Sequence, residues 1–155
     1  MPAKTIHVKR WASTLNVAVY RMTGGRLLGR MGGQPVLLLK TVGRRTGRQR
    51  TAPVQYLRAG ESLVVVAANR GAAVPPAWCL NLRAEPTARV QCGARHLDVR
   101  AHEASGPERA ALWQRLLQAN RYLDRVARKA GHELPLLILE PIPGRGENPG
   151  EPVPD

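Results

Sequence analysis

The sequence predicts a mainly β protein of the α+β type, built as a six-stranded antiparallel barrel or sheet with peripheral helices. First, six segments are apolar runs or apolar–polar alternations of strand length, bounded by turn residues. Second, several of these segments are separated by short glycine-containing turns, which is typical of hairpins. Third, the strands do not alternate with long helices, so a parallel doubly wound sheet is disfavoured.

Length and composition place the chain among ordinary globular proteins. Its 155 residues fit one domain, and 43% of them are hydrophobic while 23% are charged. No apolar run approaches the roughly 20 residues of a membrane-spanning helix.

Cys79 and Cys92 have no metal-ligand spacing, so we expect two reduced thiols and no metal site. Met1–Arg10 is polar and basic with no apolar stretch after it, from which we expect a cytoplasmic location.

The N-terminal part, residues 1–33, is predicted to be a basic helix followed by a connector. Over His7–Thr23, apolar residues such as Trp11 and Leu15 recur at helical spacing. The connector Gly24–Gly33 begins with two glycines, which end the helix.

The next part of the chain, residues 34–141, is predicted to hold the six strands. Pro35–Lys40 and Leu63–Ala68 are apolar runs typical of buried strands, and Thr51–Arg58 alternates between them. Thr41–Gln49 forms the turn between the first two strands, and a hairpin turn at Ala59-Gly60 follows the second.

A short helix and a second hairpin are predicted next. The loop Asn69–Pro76 contains glycine and prolines, and it leads into a helix over Pro76–Arg83 that begins with proline. Ala88–Cys92 and Arg95–Glu103 are predicted to pair around the glycine between them.

The C-terminal third is predicted to contain one long helix and the last strand. Ser105 is a good N-cap, and the apolar pattern continues to about Ala130, where Gly131 stops the helix. Leu134–Glu140 is the sixth strand. Residues 142–155 are rich in proline and glycine, so we expect a disordered tail.

Positive charge is concentrated in the first sixty residues. The net charge is +13, yet residues 1–60 carry 12 lysines or arginines and no acid, the first being Glu61. The remaining residues carry 12 basic and 11 acidic groups, which nearly cancel. This asymmetry indicates an anionic partner, whether phosphate, nucleic acid or lipid headgroups, or else a solvated basic face.

The turn Gly43–Arg50 (GRRTGRQR) is the most informative segment. It combines four arginines with two glycines and a threonine hydroxyl between two predicted buried strands. Guanidinium groups bind phosphate and carboxylate oxygens in pairs, which lysine cannot do. The turn is therefore predicted to bind an anion, the alternative being an exposed hairpin that only keeps the protein soluble.

Several spaced motifs resemble those of one known family. Lys40–Tyr56 (KTVGRRTGRQRTAPVQY) resembles the signature turn of the deazaflavin-dependent nitroreductase and quinone reductase family. The resemblance continues through Val64–Gly71 (VVVAANRG), Pro76–Pro86 (PAWCLNLRAEP), Val90–Gly93 and Leu134–Pro141 (LPLLILEP), and so covers about residues 25–141.

The resemblance implies a split β-barrel of the FMN-binding-like kind and a specific cofactor. Family members use coenzyme F(420), an 8-hydroxy-5-deazaflavin that donates two electrons as a hydride. This cofactor is a polyanion, because it carries a phosphate and an oligoglutamate tail. It would account for the position of the positive charge; FMN is the less favoured substitute.

The resemblance also implies which residues contact the cofactor. Arg45 and Arg50 match the positions for the phosphate and tail, with Thr46 and Gly47 completing the turn. The positions expected to line or approach the deazaflavin are Ala52, Pro53, Asn69, Arg70, Ala77, Trp78 and Asn81.

The expected substrate side departs from the better-known members. Cys79 stands where they place a tyrosine, and the tyrosine cluster of the long helix is replaced by Asn120, Leu123 and Val126. Tyr122 is the one tyrosine nearby and the only candidate for a catalytic side chain.

The expected activity is therefore hydride transfer from the reduced cofactor to a quinone, nitro compound or similar electron-poor acceptor, with the proton coming from solvent or a nearby hydroxyl. The alternative is a basic module of the same fold, without catalysis, that binds nucleic acid or an anionic membrane. Scarce aromatic residues argue against nucleic acid. The helix His7–Thr23 could contact an anionic membrane peripherally.

Overall fold

The computed structural model describes Val17, the backbone of Arg30–Met31, and residues 34–144. Apart from Val17, the predicted helix His7–Thr23 lies outside the described residues, as does most of the predicted tail. The strands are β1 (Arg30–Met31), β2 (Gln34–Val42), β3 (Gln49–Ala59), β4 (Ser62–Val66), β5 (Thr87–Cys92), β6 (Arg95–Glu103) and β7 (Leu136–Pro141). The helices are α1 (Ala77–Ala84), α2 (Gly106–Ala119) and α3 (Tyr122–Ala130), and a 3-10 turn spans Asn69–Gly71.

Six of these strands form a closed antiparallel barrel, which confirms the predicted fold class. The strand order is β1-β2-β3-β4-β7-β6-β5, and β5 pairs back onto β2. Leu39 of β2 lies opposite Val90 of β5 at this closure. The two-residue strand β1 pairs with the start of β2, where Met31 lies opposite Gln34. The sequence predicts no strand in that segment.

Alternation along the strands separates an inner core from an outer one. The inner cluster fills the barrel with residues such as Leu37, Leu39, Val54 and Leu139. Because side chains alternate between the two faces of a strand, Leu57 of β3 lies on the outer face, where it packs in a second cluster with residues of the helices. The barrel wall therefore has a filled interior and one outer side covered by α2 and α3.

Helix α1 covers one opening of the barrel. It begins at Ala77, one residue later than predicted, with Pro76 as its N-cap, and its Cys79 and Leu82 belong to the inner cluster. The helix also packs against β2. This places the exposed side of α1 beside the turn that joins β2 to β3.

The single long helix predicted over Ser105–Ala130 is wrong, because the structure breaks it into α2 and α3. Asn120 has an extended backbone (φ −147°, ψ 93°), and its Oδ1 accepts a hydrogen bond from the backbone N–H of Tyr122 at 3.1 Å. An asparagine side chain that satisfies a nearby N–H competes with helix continuation. The apolar positions Leu116 and Leu123 keep helical spacing across the break, so periodicity alone did not reveal it.

Within the part of the chain that the structure describes, no helix has both the length and the apolar character needed to cross a bilayer.

Candidate functional site

The turn between β2 and β3 is closed by its own hydrogen bonds. The N–H of Gly43 donates to the carbonyl of Arg48 at 2.7 Å, and that of Gly47 donates to the carbonyl of Gly43 at 2.8 Å. The Thr46 hydroxyl accepts from the N–H of Arg48 at 3.2 Å. A Cβ at Gly43 would lie 3.0 Å from both the Arg48 carbonyl and Thr46 Oγ1, so glycine permits this tight closure.

A basic cavity of about 370 Å³ lies between this turn and α1. Arg44, Arg45 and Arg50 contribute to its lining, and none of the acidic residues that the structure describes does. Seven of the residues that the family resemblance assigned to the cofactor line this cavity: Arg45, Thr46, Arg50, Ala52, Ala77, Trp78 and Asn81. Three clustered guanidinium groups without a carboxylate favour a polyanionic ligand.

An aliphatic cavity of about 360 Å³ lies on the outer face of β3 and β4, next to α2 and α3. Its apolar lining includes Leu57, Val66, Leu116 and Leu123, and within the described part of the chain no acidic side chain contributes. The predicted cofactor residues that line this cavity are Pro53, Asn69, Arg70 and Trp78. The predicted substrate residues that line it are Asn120 and Leu123.

The two cavities meet at Trp78. This side chain lines both of them, and the adjacent residues Ala52 and Pro53 of β3 line one each. Trp78 is partly buried and packs against the inner cluster, which holds it in place. The site therefore offers a basic region and an apolar region on either side of one indole ring.

Four predicted site residues lie outside both cavities. Gly47 belongs to the basic turn but lines neither cavity, and Tyr122 is 62% exposed with the Arg125 guanidinium 5.9 Å from its ring centre. Cys79 and Val126 are buried. The Cys79 side chain lies in the barrel core because α1 turns it inward, and burial raises the pKa of its thiol.

Other lining residues were not singled out from the sequence. Leu57 follows from the alternation of β3, since it faces the side opposite Val54. No sequence pattern identifies Gln34 as a lining residue. Its Nε2 donates a hydrogen bond to the carbonyl of Ala119, and this contact joins distant parts of the chain.

Tyr56 is one of the residues that line the aliphatic cavity, but its side chain packs against the inner cluster and its phenol is hydrogen-bonded there. The Cys92 thiol donates a hydrogen bond to its Oη at 2.9 Å. Burial is the largest cause that raises the pKa of Tyr56 to about 12, and the neighbouring Cys92 side chain raises it further.

The edge of the aliphatic cavity contains a strained pair of residues. Asn69 and Arg70 have left-handed backbone conformations, with φ of 42° and 55°. Asn69 Nδ2 donates to the carbonyl of Val74 at 2.7 Å, and the following Gly71 packs so closely against Lys129 that a Cβ would lie 3.0 Å from its side chain. Packing against α3 thus holds a conformation that costs an ordinary side chain about 1–2 kcal/mol. Such strain often occurs at functional sites.

Comparing Arg70→Gly with Arg70→Ala should separate the strain from the function of this residue. Both variants remove the guanidinium from the cavity edge, so both should weaken cofactor binding to a similar extent. Glycine accepts the left-handed conformation, so Arg70→Gly should be more stable than Arg70→Ala by about 1 kcal/mol in urea denaturation. Cofactor affinity equal to that of the unmodified protein in both variants would show that Arg70 is only an exposed loop residue.

Among the described residues, no group of three or more histidine, cysteine or acidic side chains is arranged to hold a metal ion. Both cysteines are buried free thiols.

The closed antiparallel barrel, with a basic cavity next to an apolar one, places the chain in the class of split-barrel proteins. The family model described as F(420)H(2)-dependent quinone reductase matches residues 12–141, and the chain belongs to this family. The dependence of the family on F(420)H(2) confirms the predicted cofactor and the predicted class of oxidoreductase.

Individual relatives agree with this assignment. An F(420)H(2)-dependent quinone reductase of Mycobacterium tuberculosis is 34% identical over 138 residues, which cover 86% of this chain and 92% of that protein. The solved structure of an F(420)H(2)-dependent reductase is 30% identical with a TM-score of 0.63, covering 68% of this chain and 94% of that one. Another structure, described as a domain-swapped dimer, is 25% identical with a TM-score of 0.66, covering 89% of this chain and 100% of that one.

Proposed function

We propose that this protein binds reduced coenzyme F(420) across the basic and aliphatic cavities and catalyses hydride transfer to a quinone. The observation that supports this most directly is the position of Trp78, which lines both cavities. A ligand with an anionic tail and a flat ring system can place the tail at the basic turn and the ring beside Trp78.

The residues of the basic cavity fit the anionic part of this cofactor. Arg45 and Arg50 are exposed and line the cavity, so their guanidinium groups can bind the phosphate and carboxylates. Charge-assisted hydrogen bonds of this kind are about twice as strong as neutral ones.

The residues around the aliphatic cavity fit an apolar ring and acceptor. When bound, the reduced deazaflavin supplies the hydride, and the protein contributes orientation and a dry environment. Pro53 and Trp78 restrict the ring at the junction, whereas Leu57, Leu116 and Leu123 exclude water from the acceptor. Orientation and desolvation of the two reactants are the principal ways in which such a site lowers the barrier.

The acceptor class follows from the apolar lining. A quinone is electron-poor and largely apolar, and it gains a hydride from the cofactor and a proton from solvent. Nitro compounds share the electron-poor character and are the second acceptor class. Asn69, Arg70 and Asn120 at the cavity edge provide polar groups near the acceptor oxygens.

A cytoplasmic location and a peripheral contact with anionic membranes complete the proposal. The basic helix predicted over His7–Thr23 would make this contact, which would bring the site close to lipid-soluble quinones. Co-sedimentation with vesicles should then require anionic lipid; equal binding to neutral vesicles, or none to either, would exclude the contact.

The proposal is tested by titrating the purified full chain with coenzyme F(420) and with FMN in parallel, followed by oxidation of the reduced deazaflavin. We expect F(420) to bind more tightly, and its reduced form to be oxidised when a quinone is added. Nitro compounds form the second arm. Tighter binding of FMN, or absence of acceptor-dependent oxidation for both classes, would reject the proposed reaction.

A further inference from the structure

Asn81 of α1 connects this helix to the basic turn. Its side chain is 3% exposed although it lies next to a cavity. Its Nδ2 donates a hydrogen bond to Thr41 Oγ1 at 3.1 Å. Its Oδ1 accepts from the backbone N–H of Arg44 at 3.2 Å and from Nη1 of the same residue at 3.3 Å. One amide therefore links the end of β2, the basic turn and α1.

The hydrogen bonds determine the orientation of this amide. Only the oxygen of Asn81 can accept from Arg44, and only its nitrogen can donate to Thr41. Thr41 belongs to the wall of the same cavity but is only 1% exposed, and its hydroxyl is engaged by Asn81. A buried polar group that loses one such partner is destabilised in that position, because no water replaces the lost hydrogen bond.

The same contacts distinguish two adjacent arginines. Arg44 directs both its backbone N–H and its guanidinium to Asn81, whereas no such bond ties Arg45 to α1. Because the turn is closed internally by Gly43, Gly47 and Arg48, anchoring it at Arg44 fixes the position of the whole turn relative to Trp78.

We propose that Asn81 is a positioning residue that acts through Thr41 and Arg44, holding the basic turn at the correct distance from α1 before the cofactor binds. Arg44 belongs to this connection, and the anionic tail is bound by Arg45 and Arg50. This inference rests on the proposed binding of the F(420) tail at the basic turn. It differs from the role expected from the family resemblance, in which Asn81 approaches the cofactor directly.

Substitution of Thr41 tests the connection at a wall residue that is almost fully buried and leaves every arginine of the cavity in place. Thr41→Val removes the hydroxyl and keeps the shape, whereas Thr41→Ser keeps the hydroxyl. We expect Thr41→Val to raise the Kd for coenzyme F(420) by about fivefold, the effect of one neutral hydrogen bond, and Thr41→Ser to bind like the unmodified protein. Without cofactor, amide hydrogen exchange in residues 43–48 should be faster in Thr41→Val only.

A second pair of variants compares Arg44 with Arg45, and each variant removes one positive charge. Both side chains are exposed, so neither substitution threatens folding. Arg45→Ala should reduce the salt dependence of cofactor binding, because a direct ion pair is lost. Arg44→Ala also removes a charge from the cavity wall, but it should weaken binding with a smaller loss of that salt dependence than Arg45→Ala, because its guanidinium is bonded to Asn81.

The outcomes separate this inference from the proposed function. Unchanged affinity and unchanged hydrogen exchange in Thr41→Val overturn the positioning role, as does a salt dependence in Arg44→Ala that falls as far as in Arg45→Ala. Failure of the unmodified protein to bind F(420) rejects the proposed function instead, and the hydrogen-exchange result then decides on its own whether Asn81 positions the turn.

Discussion

Replacing Arg45 and Arg50 together by alanine should weaken the binding of coenzyme F(420) by about 3 kcal/mol, more than a hundredfold in Kd. Both side chains are exposed and line the basic cavity, so the loss comes from charge-assisted hydrogen bonds and not from packing. The free energy of unfolding should stay nearly constant. The measurement is a titration of cofactor fluorescence at several salt concentrations, and the salt dependence should become weaker in the double variant.

A matched control uses arginines that line neither cavity. Arg48 lies in the same turn and Arg121 at the break between α2 and α3, and both are exposed. The variant Arg48→Ala plus Arg121→Ala loses the same two charges, so it should lose only the small long-range part of the attraction. If this control weakens binding as much as the Arg45 and Arg50 variant, the cofactor responds to net charge and the basic cavity is not its binding site.

Replacing Trp78 by alanine should have the second large effect, raising the Kd for the cofactor by about tenfold or more and reducing turnover with it. Trp78 forms the wall that both cavities share. Removing an aromatic side chain at this junction costs ring contacts worth about 1–3 kcal/mol, and it also removes packing against the barrel core. Stability should therefore fall as well, which a denaturation series measures.

Trp113 provides the control that separates these two effects. It is also partly buried and packs in the outer cluster beside Leu116. The Arg109 guanidinium carbon lies 5.7 Å from the centre of its ring. Trp113 lines neither cavity of the site. Trp113→Ala should lower the free energy of unfolding by a similar amount without changing cofactor affinity. Equal losses of affinity in both variants would mean that the Trp78 effect is only a loss of stability.

Much of the barrel could be predicted from short-range patterns. Pro35–Lys40, Thr51–Arg58 and Leu63–Ala68 lie within or largely overlap β2, β3 and β4, because a strand with a buried face requires apolar residues at fixed positions. The break at Asn120 could not be predicted in this way, because the apolar pattern of the outer cluster continues through it and a local hydrogen bond decides the conformation.

The candidate site was also predictable to different degrees. Most residues named by the resemblance lie at one of the two cavities, since they belong to segments whose course the barrel determines. The resemblance puts Cys79 on the substrate side, because it stands where the better-known members have a tyrosine. Its direction depends on how α1 covers the barrel, and that packing turns it into the core.

By itself, the sequence determined the antiparallel strands and the basic turn and indicated an anionic ligand for that turn, because these depend on residue type, spacing and charge within short segments. Only the tertiary structure decided that β5 closes the barrel onto β2, that Trp78 lines two cavities, and that Arg44 is hydrogen-bonded to Asn81. These features arise from contacts between residues far apart in the chain. Arg44 and Arg45 are adjacent residues of the same type, so the sequence does not distinguish them. The buried amide of Asn81 does, because it accepts hydrogen bonds from Arg44.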